Sequence, residues 1–181
     1  SELEKLKEEI KKLADDVKRI IKKVLDENRK LVDDVKKIIK KVTEENRKLV
    51  REVAELIKAG VPKKDIERIV REVVKKMEKS DKEVAEIVEE VVRRMRTSDR
   101  EVKRIVEEVV RRVKEILKEA KPGKELEEID KDVDRLIEEL KRLLEDSNRD
   151  TERLAKELKD LLDESNKDSR RLAEELKRRT D

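Results

Sequence analysis

The sequence predicts an all-α protein: an antiparallel up-down-up three-helix bundle of long, nearly straight helices with an 18-residue internal repeat. Three observations carry this. The two Gly and two Pro fall only in Gly60-Val61-Pro62 and Lys121-Pro122-Gly123, the kind of cluster that marks a turn. Between these clusters apolar residues recur at steps of three and four, which places one stripe on one face of a helix. Finally, blocks of sequence return at one fixed interval in every segment, the interval from Val17 to Val35.

The first segment, about 1–59, carries the stripe Leu3, Leu6, Ile10, Leu13, Val17, Ile20, Val24, Asn28, Leu31, Val35, Ile38, Val42, Asn46, Leu49, Val53 and Leu56. Val17–Val24 returns as Val35–Val42, and Asn28–Val32 as Asn46–Val50. Gly60 is placed to take the left-handed conformation after a helix end, and Pro62 to be the first residue of the next helix. In the second segment, about 62–120, Ile87–Arg94 returns as Ile105–Arg112. Ser80-Asp81-Lys82-Glu83 and Ser98-Asp99-Arg100-Glu101 match the capping box that starts helices, but the period runs unbroken through Val84, Ile87, Val102 and Ile105, so one helix is expected. Gly123 can open the third segment, about 124–181, where Leu154–Leu158 returns as Leu172–Leu176. Five core positions in each repeat give the period of an undistorted helix, whereas a heptad forces supercoiling. Each helix should be about 85–90 Å long. Residues 1–181 are expected to form a single bundle with loops at 60–62 and 121–123, because short connections make neighbouring helices antiparallel.

Composition removes most chemistry. The chain has no Phe, Trp, Tyr, His, Cys or Gln. That excludes a Ser-His-Asp triad, a thiol nucleophile, zinc or haem ligation and disulfides, as well as a stacking platform for bases. Phosphate-binding loops need glycines that are missing here. No enzyme activity and no cofactor or metal site is expected. Charged residues make up 56% of the chain, yet the net charge is only +3. Arg93-Arg94, Arg111-Arg112 and Arg178-Arg179 each follow a Glu pair by one turn, so no uncompensated basic surface for nucleic acid is expected. These Glu/Arg couples, Glu89/Arg93, Glu90/Arg94, Glu107/Arg111, Glu108/Arg112, Glu174/Arg178 and Glu175/Arg179, read as i,i+4 pairs. The third segment is acidic and the first two basic, which favours packing the third beside them. Asp130, Asp132 and Asp134 resemble the start of a calcium loop but lack its glycine and distal Glu. Met77 and Met95, which hold equivalent places in successive repeats, read as gap-filling core. No apolar run suits a membrane span, and the acidic start Ser1-Glu2-Leu3-Glu4 does not suit a targeting peptide.

Some stripe positions are polar: Asn28 and Asn46, Ser80 and Ser98, Ser147 and Ser165, each pair again separated by one repeat. In an antiparallel hairpin, facing residues have residue numbers with a constant sum. Asn28/Ser98 and Asn46/Ser80 share a centre beside the first loop, and Ser98/Ser147 and Ser80/Ser165 share one inside Lys121-Pro122-Gly123. Two buried layers are therefore expected, Asn28/Ser98/Ser147 and Asn46/Ser80/Ser165, with Ile10/Ile116/Ile129 as an apolar layer one repeat outward. A buried amide beside two hydroxyls can satisfy its hydrogen bonds mutually. A slide by one repeat would set Asn or Ser against Ile, so the layers specify register. Asn148, Thr151, Asn166 and Ser169 lie beside the layers, and the sequence leaves open whether they join them or face water.

Matched helix lengths, fourteen residue types, near-identical repeats and polar layers in register together resemble the family of de novo designed, parametrically generated three-helix bundles. The resemblance implies a structural scaffold without natural substrate or cellular role; the ideally ordered apolar stripes add the expectation of hyperstability, and the clustered loop signals with unbroken periodicity that of a monomer with no partner. The alternatives are a helical protein-interaction or self-associating coiled-coil module, whose sign would be a second apolar stripe, and a lipid-binding helical protein, whose apolar face typically includes aromatics. Spectrin-like repeats share the three-helix plan but usually carry aromatic core residues on shorter helices.

Overall fold

The computed structural model describes residues 2–181; Ser1, the expected start of the first helix, lies outside them. Three α-helices of 57 residues each, α1 (Glu2–Lys58), α2 (Lys63–Glu119) and α3 (Lys124–Thr180), account for nearly all of this chain, and no strand occurs among the described residues. α2 runs unbroken through Ser80 and Ser98. Acidic residues stand in the first turns, Glu2 and Glu4 of α1 and Glu125 and Glu127 of α3, and basic residues in the last turns, so side-chain charge opposes each helix dipole.

The first connection is a Schellman turn. Gly60 adopts φ 84°; its N–H donates to Ile57 O and that of Val61 to Leu56 O, the two bonds that satisfy the last carbonyls of a helix. Pro62 is not the first helical residue. It precedes α2, its carbonyl accepting from the N–H groups of Asp65 and Ile66, which makes it the cap. Gly123 caps α3 in the same way by accepting from Glu127 N–H at 3.1 Å.

Two compact units are defined along the chain. Of the described residues, one comprises 2–29 and 93–153, the other 30–92 and 154–181. In the first unit Ile10 packs with Val113, Ile129, Val133 and Ile137, and a second cluster joins Ala14, Val17 and Ile21 to Val102, Val106, Leu140 and Leu144. Numbers on α1 and α3 rise together while those on α2 fall. Val113 rather than Ile116 is the buried α2 partner of Ile10. In the other unit Val50 and Val53 pack with Ile66, Val70, Val74, Met77 and Leu176. Met77 and Met95 are 2% and 0% exposed, filling the core as an unbranched, adaptable side chain can.

On α1 Ile10, Val17, Asn28, Val35, Asn46 and Val53 of the expected stripe are buried, but at five positions between them the neighbouring residue takes the inner place. Ala14, Ile21, Val32, Ile39 and Val50 are buried, whereas Leu13, Ile20, Leu31 and Leu49 are half-buried and Ile38 is exposed. Each of these five pairs presents its second member to the interior and uses the first to cover the edge. A three-residue and a four-residue step both remain available when apolar residues are doubled, so spacing did not distinguish the two members.

Candidate functional site

Among the described residues, the polar side chains on the buried faces form the only unusual chemistry. Asn28, Asn46, Ser147 and Ser165 are buried, while Ser80 and Ser98 are half-buried. Ser169 and Thr151 are buried as well, and Asn148 and Asn166 half-buried.

In the unit of residues 30–92 and 154–181, Asn46 Nδ2 donates to Ser169 Oγ at 3.2 Å, and Ser169 Oγ donates to Asp81 Oδ1 at 3.0 Å. One residue from each helix thus meets in a chain of hydrogen bonds that points toward a carboxylate. Ser165 instead meets Thr43, with 3.2 Å between the hydroxyls, and Thr43 Oγ1 also donates to Ile39 O at 2.9 Å. Ser80 has no hydrogen bond to Asn46 or Ser165 among the described residues. Asn46 is thereby paired one turn further along α3 than the expected Ser165. Ser165/Ser169 and Ser147/Thr151 are each i,i+4 neighbours on one face, and one set is the repeat of the other, so the sequence pattern fits two registers one turn apart.

Burial pushes the Asp81 carboxyl above its ordinary range; hydrogen bonds from Ser169 and Asn46 hold it down, and the charge of Glu78 adds to the rise. Moving every member by one repeat gives Asn28, Thr151 and Asp99 in the other unit. Burial raises Asp99 too, against the lowering influence of Thr151 and with a further rise from Glu152. Thr151 Oγ1 is near enough to act on Asp99, yet it has no hydrogen bond of good geometry, and neither has Asn28 Nδ2. The branch of a threonine restricts χ1, where the serine hydroxyl of the other unit turns freely to its acceptor.

Around these residues the helices are joined by ion pairs that repeat in the same way. Lys18–Glu139 and Arg29–Asp150 link α1 to α3 in one unit, and Lys36–Glu157 and Arg47–Asp168 do so in the other. Arg96 bridges to Glu152 through two nitrogens, each at 3.2 Å. This is the role expected of an acidic third helix. Within helices the outcome differs: Glu175–Arg179 is closed at 2.9 Å, but Glu107/Arg111, Glu108/Arg112 and Glu174/Arg178 are open among the described residues. The recurring local pair is Asp with Arg three residues on, as in Asp16–Arg19 and Asp146–Arg149. The exposed Glu/Arg couples gain too little to hold two long side chains in one geometry.

Chemically this arrangement orders donors and acceptors. Ser169 is 6% exposed, and its proton is directed to a carboxylate, a weak base. Among the described residues no group of three His, Cys, Asp or Glu is placed to hold a metal ion. No helix among them is long and apolar enough to cross a membrane. Two clefts are shallow: one of 780 Å³ in the first unit is lined in part by Val106, Val110 and Leu144, and one of 630 Å³ in the second by Ile39, Thr43 and Ser165.

Fold and geometry define an all-α three-helix bundle. No protein-family model and no curated protein matches the chain. Among solved structures it is similar to a "Computationally designed three helix bundle", with a TM-score of 0.86, 21% sequence identity, and coverage of 99% of this chain and 92% of that one. At that identity the likeness is one of fold.

Proposed function

We propose that the chain is a designed, hyperstable structural scaffold with no natural biochemical function, no enzymatic activity and no obligatory partner. The observation that carries this reading is the recurrence of the same contacts one repeat apart. Lys18–Glu139 and Arg29–Asp150 have counterparts in Lys36–Glu157 and Arg47–Asp168, on helices of equal length built from fourteen residue types. The polar residues then serve to fix which residues face one another, the best-attested use of such groups in helical assemblies. Agreement between helix propensity, apolar pattern, capping and turn chemistry is what gives a sequence a single deep minimum.

Circular dichroism on heating tests the reading. Unfolding of residues 1–181 in one transition above about 90 °C is expected, the usual mark of hyperstability; a cooperative transition below about 70 °C would refute it. Sedimentation equilibrium should give a monomer of 21.5 kDa, and a concentration-dependent dimer would favour a self-associating module instead.

A further inference from the structure

We propose that Asp81 and Asp99 are the α2 members of two equivalent polar triads, Asn46–Ser169–Asp81 and Asn28–Thr151–Asp99, and that their carboxylates are proton-uptake sites that tighten their units in acid. The inference goes beyond the scaffold reading and does not depend on it. It begins with geometry. In the first triad every donor points one way, from Asn46 Nδ2 to Ser169 Oγ and from Ser169 Oγ to Asp81 Oδ1, so a half-buried negative charge ends the chain. In the second, two buried polar atoms left without partners, Asn28 Nδ2 and Thr151 Oγ1, are the counterparts of the two that are paired in the first. Thr151 Oγ1 already lies near enough to Asp99 to lower its pKa, the place that Ser169 holds beside Asp81.

Among the described residues no cation offsets either charge directly. The groups that reach Asp81 are the neutral Asn46 from α1, the neutral Ser169 from α3, and Glu78 on α2 itself. Asp99 meets Thr151 and the like-charged Glu152 from α3. Arg96, Arg100 and Lys103 line the same cleft, but Arg96 is committed to Glu152. A proton taken from solvent removes the desolvated charge, and the remaining carbonyl oxygen still accepts from the hydroxyl. Burial holds both carboxyls above the ordinary value of 3.8. A carboxyl raised by folding supports the folded state below its unfolded pKa, and this support is lost as pH rises through the folded value.

Carboxyl-detected NMR titration of the full chain, with guanidinium unfolding of variants at pH 3 and pH 7, tests the proposal. Asp81 and Asp99 should both titrate above 3.8. Asp81→Asn, which keeps the acceptor and removes the charge, should unfold at higher denaturant than the parent at pH 7 and coincide with it at pH 3; Asp99→Asn should do the same. Ser169→Ala should move the Asp81 titration further up, and Thr151→Val that of Asp99. Titration of either aspartate at or below 3.8, an Asp→Asn difference equal at both pH values, or no response to the hydroxyl deletions would overturn it. Should the Asn variants fail to fold, the hydroxyl deletions decide. A low melting temperature with these titrations intact would overturn the scaffold reading alone.

Discussion

Ile38 and Ile39 are adjacent, chemically identical and in the same helix, yet the first is 37% exposed and the second 5%. Replacing each in turn by alanine isolates burial from everything else. Ile→Ala removes three carbons, worth about 0.8 kcal/mol each when fully buried, so transfer alone costs Ile39→Ala about 2.4 kcal/mol. A residual cavity adds to this, which places the total in the range of about 2–5 kcal/mol. Ile38 keeps over a third of its surface in water and leaves a gap that solvent fills. Its loss should cost about 1.5 kcal/mol or less. Alanine's higher helix propensity offsets a few tenths of a kcal/mol in both variants and cancels in the comparison. Guanidinium unfolding at fixed temperature, with unchanged slopes, would give the two free energies, and Ile20→Ala against Ile21→Ala repeats the comparison in the other unit. Equal costs, or a larger cost for Ile38→Ala, would refute the assignment of the inner stripe.

Gly60→Ala should destabilise by about 1–2 kcal/mol, the cost of placing an L side chain in the left-handed region, whereas Gly123→Ala, with negative φ and open space around the added methyl, should be neutral or slightly stabilising in the same thermal scan. The combined change Asn46→Leu, Ser169→Ala and Asp81→Leu should leave stability unchanged or raise it by about 1–4 kcal/mol, as apolar replacement of buried polar clusters often does; slipped or associated species should then appear in native mass spectrometry. Asp132 titrates below the ordinary carboxylate range because of the hydrogen bond and charge of Lys7, 3.0 Å away. Its support for the fold is therefore present above the unfolded pKa and lost as pH falls through the folded one, opposite in sign to Asp81, and Lys7→Met should return the Asp132 titration toward its ordinary value by NMR.

The boundaries of α1, α2 and α3 could be read closely because Gly60, Pro62, Pro122 and Gly123 are the only breakers in the chain. The side chains that meet were less legible. Asp81 and Asp99 stand among 49 acidic residues, and nothing about a single Asp on a charged helix announces that it is turned inward. Their signal was positional: each directly follows a stripe serine, and the two hold the same place in successive repeats. The pairing of Asn46 with Ser169 was hidden differently, because an i,i+4 pair of hydroxyl residues offers two partners on one face and the repeat preserves both choices. The Asp–Arg pairs three residues apart, such as Asp16–Arg19 and Asp146–Arg149, stand elsewhere on the helices than the expected Glu–Arg couples, of which Glu175–Arg179 closes.

The repeated ion pairs have a consequence for length. Eighteen residues make five whole turns of an undistorted helix, so a block of that size returns every side chain to its original bearing. Lys18 and Lys36 reach Glu139 and Glu157 in the same manner for this reason. A further block copied into all three helices would bring its own matching ion pairs and lengthen each helix by about 27 Å. A block one residue shorter or longer, about 100° out of phase, would turn the inner stripe of the added part toward water.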